Sequence, residues 1–169
     1  MVVIGLTGKN GSGKGEVAAL LKRRGFHYAS LSDALRDELR AKGEEVSRLK
    51  LVKAGRALRA RFGPSVLAFR IGQNLESSVD HVIDSIRNPA EVEWFRANIP
   101  GFQLWNVTAD TRTRFGRIKV RKRESDPQTL QDFLAVEEME ATAMDASGQD
   151  LEGTAQLADV AVPNDTTLD

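Results

Sequence analysis

The segment Gly8-Lys9-Asn10-Gly11-Ser12-Gly13-Lys14 has the spacing G-x-x-x-x-G-K of a phosphate-binding loop. Glycines let successive backbone N–H groups turn inward on an anion, where side chains would block its approach. A helix that follows adds its partially positive N-terminus, and Lys14 adds a full charge for the β- and γ-phosphates. A turn that merely joins strand to helix needs one or two glycines, not Gly8, Gly11, Gly13 and Gly15 around a lysine. A dinucleotide fingerprint would need the reverse order of spacings, G-x-G-x-x-G. The expectation is a nucleoside triphosphate, ATP or GTP, held by Gly8, Asn10, Gly11, Ser12, Gly13, Lys14, Gly15 and Glu16. Position 15 is Gly rather than Ser or Thr, so the hydroxyl that commonly binds Mg²⁺ is missing.

Two further groups could do chemistry. Val82-Ile83-Asp84 is an apolar strand ending in a carboxylate, the Walker B arrangement, which would place Asp84 to hold Mg²⁺ through water. A strand that happens to end in a polar turn is the plainer reading. Arg112, Arg114, Arg117, Lys119, Arg121, Lys122 and Arg123 form a basic run in which 114, 117 and 121 share a helical face. Arginines on a closing lid can stabilise charge on a transferring phosphoryl group, with Arg117 and Arg121 the best placed. A solvated basic helix or a nucleic-acid patch would look similar. Phe115 is the only aromatic nearby that could stack a base, which argues against nucleic acid.

The elements that must position these groups alternate. Strands are expected at Val2–Thr7, Phe26–Leu31, His81–Ile86, Phe102–Thr108 and Leu157–Val162, the last ended by Pro163. Helices are expected after the glycine loop, from an N-cap at Ser32 to about Lys42, over 46–77 with a break at Phe62-Gly63-Pro64, from Pro89, from Thr111 to Lys122, and from Thr129 to about Met139. Pro64 is placed in the first turn of its helix, and the chain around Gly148 and Gly153 is read as loose. Strands alternating with helices argue a parallel sheet covered on both faces. The fold class is therefore α/β: three layers around a five-stranded parallel sheet.

At 169 residues the chain suits one domain. It has no cysteine and only His27 and His81 as histidines, which excludes disulfides and argues against a histidine metal site or a Ser-His-Asp triad. No apolar run approaches the roughly 20 residues that cross a bilayer, and no signal peptide is evident, so a cytoplasmic protein without membrane partners is expected. The formal net charge of zero hides an asymmetry. Residues 1–123 hold all 24 Lys and Arg with 12 acids, whereas 124–169 hold 12 acids and no base. A basic body suits a polyanionic ligand; equally, the two parts could neutralise each other in the fold.

Several segments carry a resemblance. Lys14-Gly15 resembles the nucleoside-monophosphate kinases, in which Lys is commonly followed by Gly and Thr and Mg²⁺ is held largely through water. Glu16 departs from that pattern. Ser30-Leu31-Ser32-Asp33-Ala34-Leu35-Arg36 is similar to the Ser-Thr-Gly-Asp-x-Leu-Arg segment of adenylate kinases. Ser32 and Asp33 would then lie near the transfer site, and Arg36 would grip the acceptor's phosphate. Arg87 falls where related kinases place an arginine after a strand-end Asp-Gly, with Ser85 replacing the glycine. Together with Gly63-Pro64-x-Val66-Leu67-Ala68 and Leu157-Ala158-Asp159-Val160-x-Val162, these segments resemble dephospho-coenzyme A kinase-like P-loop proteins. That group includes archaeal proteins and domains of deoxycytidylate deaminase-like proteins.

The resemblance implies a core of 1–31, 78–122 and 154–169, acceptor-binding helices over about 32–77, and a lid with its following helix over about 117–145. It puts Asn164 in a loop near the adenine. Relatives continue into a final helix where this chain stops at Asp169, so a truncated C-terminus is expected.

Three functions remain open from sequence. The first is transfer of the ATP γ-phosphate to a nucleoside or deoxynucleoside monophosphate. The second is a dephospho-coenzyme A or other hydroxyl kinase using Asp33 as base. The third is a nucleotide sensor without transfer, suggested by Gly15-Glu16. All three take a nucleoside triphosphate, and the first two add a small-molecule acceptor.

Overall fold

The computed structural model describes residues 1–121, 126–141 and 148–165. Lys122 and Arg123 of the basic run, Ser125 and the end of the chain at Asp169 lie outside the described residues.

In chain order the elements are β1 (Val3–Thr7), α1 (Lys14–Arg23), β2 (His27–Ser30), α2 (Leu31–Ala41), α3 (Arg48–Phe62), α4 (Val66–Gly72), β3 (His81–Asp84), α5 (Pro89–Asn98), β4 (Gln103–Thr108), α6 (Thr111–Arg121), α7 (Leu130–Ala141), α8 (Leu151–Gln156) and β5 (Val160–Pro163). The five strands are all parallel, in the order β2-β3-β1-β4-β5. β1 is the central strand and is buried along its whole length, as its unbroken apolar run requires. Alternate residues serve opposite faces. Val3, Ile83 and Leu104 join one core with residues of α2 to α5. Ile4, Leu6, Val82 and Val107 join a second core under α1. The molecule is a three-layer α/β structure.

Four local expectations are corrected. Helix α2 begins at Leu31 with Ser30 in the cap position, not with Ser32 as N-cap. Leu31 is fully buried, so its packing carries β2 directly into the helix, and the Ser32 hydroxyl is turned to other partners. Pro64 precedes α4 instead of entering its first turn, because Ser65 occupies the cap position. The loose chain around Gly153 is the short helix α8, nucleated where Asp150 Oδ1 accepts the Gly153 N–H at 2.8 Å. Pro163 does not end β5 but forms its last residue, opposite Thr108, on a sheet edge where a missing N–H is tolerated.

The turn from β3 into α5 is held by a capping box between Asn88 and Glu91. Glu91 is completely buried. Its Oε2 accepts the N–H groups of Arg87 (2.9 Å) and Asn88 (3.1 Å), and its Oε1 accepts Nε (3.1 Å) and Nη2 (2.7 Å) of Arg59 from α3. A buried carboxylate is tolerated only when so fully satisfied. Glu91→Ala would strand Arg59 and two N–H groups, and should cost about 3–5 kcal/mol of unfolding free energy in a denaturant titration.

Candidate functional site

The loop between β1 and α1 takes its shape from glycines in the left-handed half of backbone space. Gly8 has φ 137° and Gly13 has φ 96°. A Cβ on Gly8 would lie 2.2 Å from the Val107 carbonyl oxygen, and one on Gly13 would lie 2.0 Å from Asn164 Nδ2. No other residue fits either position. Lys14 opens α1; its Nζ donates to the carbonyls of Gly8 (2.7 Å) and Lys9 (3.1 Å) across the loop. Ser12 Oγ is sealed inside with no hydrogen-bond partner among the described residues.

The loop is braced from the far side. Asn164, expected near the adenine, donates Nδ2–H to the Ser12 carbonyl at 3.0 Å. Arg114, Arg117 and Arg121 do share one face of α6, and that face meets the loop. Arg114 donates to the Asn10 carbonyl (3.2 Å), Arg117 to the Ser12 carbonyl (3.4 Å) and Arg121 to Asn10 Oδ1 (3.2 Å). They differ in what else they hold. Arg114 is buried in an ion pair with Glu137 of α7, so it joins two helices. Arg121 is gripped by both oxygens of Asp126, at 2.9 and 2.7 Å.

A cleft of about 1420 Å³ runs from this loop to α2 and α3, and it brings together most of the expected residues. Asn10, Gly11, Gly13, Lys14, Gly15, Glu16, Arg117, Arg121 and Asn164 line one end. Ser32, Asp33 and Arg36 come in from α2 across the cleft, and Asp84 and Arg87 from the end of β3 and the turn after it. Gly8 and Ser12 shape the loop from behind. Arg36 Nη1 donates to Asp33 Oδ1 (2.5 Å) and to Ser32 Oγ (3.0 Å). Ser32 Oγ in turn contacts Ser30 Oγ (3.0 Å) and Ser85 Oγ (3.2 Å). Arg87 Nη1 donates to Gln149 at 3.1 Å.

Asp84 ends β3, and its Oδ1 accepts the Ser85 N–H at 2.5 Å. Ser85 has φ 68°, a conformation costing a non-glycine residue about 1–2 kcal/mol.

For Mg²⁺, no group of three or more metal-ligating side chains exists among the described residues. Mg²⁺ does not need one: it keeps several waters and takes one or two carboxylates with substrate phosphates. Asp84 supplies one carboxylate on the cleft wall, and a Cβ on Gly15 would meet no atom within 4 Å, leaving room for water. The residues present fit the ion.

Two cleft residues, and a buried carboxylate behind one of them, escaped the sequence reading. Tyr28 donates its hydroxyl to Asp84 Oδ2 at 3.4 Å. Arg59 and its partner Glu91 were the others. The Asn88-Pro89-x-Glu91 spacing is a readable capping box, but Arg59 is one of six bases on α3 and only the buried face singles it out. Gly55, one turn earlier, leaves space for it: a Cβ there would lie 3.2 Å from Arg59 Nη1.

Residues 4–145 match the AAA domain family. The chain is 39% identical over 142 residues to a UPF0200 protein of Methanothermobacter thermautotrophicus, covering 83% of this chain and 72% of the relative. Among solved structures, a gluconokinase from Sinorhizobium meliloti 1021 superposes with a TM-score of 0.57 at 18% identity, covering 99% of this chain and 85% of that one. The Mycobacterium tuberculosis APS kinase CysC, solved with AMPPNP and APS, gives 0.52 at 20% identity, over 98% and 90% of the two chains. The fold is that of the P-loop kinases. No described helix is long and apolar enough to cross a membrane.

Tyr28 is the single tyrosine, so its ionisation can be read without interference. Burial, and then the negative charge of Asp84, push its phenol from the ordinary 10 up to about 12. The neutral form is the one favoured, so its stabilising contacts are complete below pH 10 and are lost as pH rises through about 12. The phenolate ultraviolet band should appear with a midpoint near 12, and Asp84→Asn should move that midpoint back toward 10.

Proposed function

We propose that this chain, which belongs to the UPF0200 family, transfers the γ-phosphate of ATP to a nucleoside or deoxynucleoside monophosphate. The observation that carries the reading is the distribution of charge along one cleft. Lys14, Arg117 and Arg121 line the loop end, Arg36 comes in from α2 and Arg87 from the turn after β3, with Asp84 also on the wall. An acceptor phosphate is already ionised and needs cations to hold it, not a base to deprotonate it. On this reading the loop N–H groups and Lys14 take the triphosphate, and Arg36 and Arg87 take the acceptor's phosphate. Arg117 and Arg121 neutralise charge on the group in transit. Mg²⁺, held at Asp84 mainly through water, would add Lewis-acid stabilisation of the same charge.

A hydroxyl acceptor is the second reading, and Asp33 supports it. Its carboxylate lines the acceptor end of the cleft, fixed by Arg36, where it could take a proton from an alcohol. The likeness to a gluconokinase favours that direction in fold alone.

ADP release should be followed with ATP and a panel of mono- and deoxymonophosphates plus dephospho-coenzyme A. Lys14→Ala should lower kcat/KM by about 10²–10³ with any accepted substrate. Asp33→Asn separates the readings: it should mainly raise KM for a monophosphate, but cut kcat by about 10²–10⁴ for a hydroxyl. ATP-dependent thermal stabilisation without turnover of any acceptor would leave nucleotide sensing and remove both kinase readings.

A further inference from the structure

Away from the phosphate loop, the residues that α2, α3 and α4 give to the cleft include an apolar set. Leu31 and Leu35 of α2, Leu51 and Val52 of α3 and Leu67 of α4 line the cleft there, together with Arg59 of α3. That side chain is 4% exposed. Two of its nitrogens, Nε and Nη2, are used by Glu91. The third, Nη1, has no hydrogen-bond partner among the described residues. It is also not among the sealed unpartnered atoms, which are Thr7 Oγ1 and Ser12 Oγ, so it is open to the cleft.

An unspent donor beside these apolar residues calls for an acceptor atom on whatever fills that part of the cleft. The charge of Arg59 is already answered by buried Glu91, whereas Arg36 is paired with Asp33, which is 48% exposed and can be left to water. A neutral oxygen therefore suits Nη1 better than a second phosphate. Guanidinium nitrogens only donate, so a ring amino group in the same place would set donor against donor.

We infer that Arg59 is a specificity-determining residue that donates Nη1–H to the oxygen at C6 of a purine or C4 of a pyrimidine, where adenine and cytosine carry an amino group, making the acceptor a guanine- or uracil-type monophosphate. Adenine- and cytosine-type monophosphates are disfavoured. This rests on the reading that the α2–α4 end of the cleft takes a nucleoside monophosphate, and it names the class of base. The apolar walls take the faces of the ring, Arg59 reads its edge, and Arg36 and Arg87 hold the phosphate. Glu91 is a positioning residue: it holds the guanidinium through Nε and Nη2, so that Nη1 is the nitrogen it leaves unengaged.

The test is calorimetric titration of the full chain, saturated with a non-hydrolysable ATP analogue, with GMP against AMP and UMP against CMP. In at least one pair the oxo base should bind about tenfold tighter or more, the worth of a hydrogen bond to a charged donor. The double variant Arg59→Met with Glu91→Gln removes the pair without leaving a lone buried charge. It should bring the preference within about threefold while the ATP analogue still binds. Gly55→Ala presses a methyl group on Nη1 and on Leu35 Cδ1, each 3.2 Å from the added Cβ, without removing either partner of the ion pair, so it should also weaken the preference, and it serves if the double variant does not fold.

Monophosphate binding with no oxo preference, or a preference that survives both substitutions, overturns the role of Arg59 and leaves the phosphotransferase reading standing. Failure of every monophosphate to bind, with ATP analogue bound, overturns both.

Discussion

The site depends on how closely the backbone of residues 8–13 can approach its neighbours. Val107 of β4 and Asn164 beyond β5 press on the loop at distances no Cβ could share. The parallel order puts β1 between β3 and β4, so the loop leaving β1 is flanked by the carboxyl ends of both. The strand bearing Asp84 is thus set beside the phosphate loop by topology, although 70 residues separate Asp84 from Lys14. The sheet fixes the frame, and the glycines allow the loop to use it.

Around that frame the guanidinium groups already hold oxygens. Arg36 holds Asp33, Arg59 holds Glu91, Arg114 holds Glu137 and Arg121 holds Asp126. The partners differ in cost. Asp33 is 48% exposed, and water can compensate it if Arg36 turns to a ligand. Glu91 has no such recourse, since releasing Arg59 would leave a charge buried without its counterion. Arg36 is therefore an exchangeable cation, whereas Arg59 can act only through the nitrogen that Glu91 leaves. Geometry alone would rank the two alike; solvation separates them.

What could be read from sequence follows the range of the interaction. The phosphate loop, the strand ending in Asp84 and the shared face of Arg114, Arg117 and Arg121 are local patterns, and strong periodicity or spacing marks each. The cap at Ser32 was misplaced because the choice between Ser30 and Ser32 is made by the burial of Leu31, a tertiary effect. Arg59 was invisible for a similar reason. Arg56, Arg59 and Arg61 look alike until the helix is docked, and a capping box at Asn88 and Glu91 does not say which distant base will meet its carboxylate. Tyr28 reaches Asp84 only because β2 pairs with β3 in register, Ser30 opposite Asp84.

The charge asymmetry illustrates the same limit. Taken as totals, a basic body and an acidic end suggest either a polyanionic ligand or internal neutralisation. The contacts show internal neutralisation at three places. Asp126, Glu137 and Asp159, all from the acidic end, pair with Arg121, Arg114 and Arg96 of the body. These pairs tie α7 and the approach to β5 onto the basic core. Lys14, Arg36 and Arg87 line the same cleft that the Arg121–Asp126 pair borders, and Arg36 is paired with Asp33 of the body. The three pairs place neutralisation by the acidic end at α5, α6 and their partners. The cleft lining carries both signs, with Glu16, Asp33, Asp84, Asp126 and Asp165 beside Lys14, Arg36, Arg87, Arg117 and Arg121, so a polyanion would be held by the placement of particular cations and not by a net excess. The sequence totals were consistent with either account because net charge carries no position, and position is what turns a charge into a binding site.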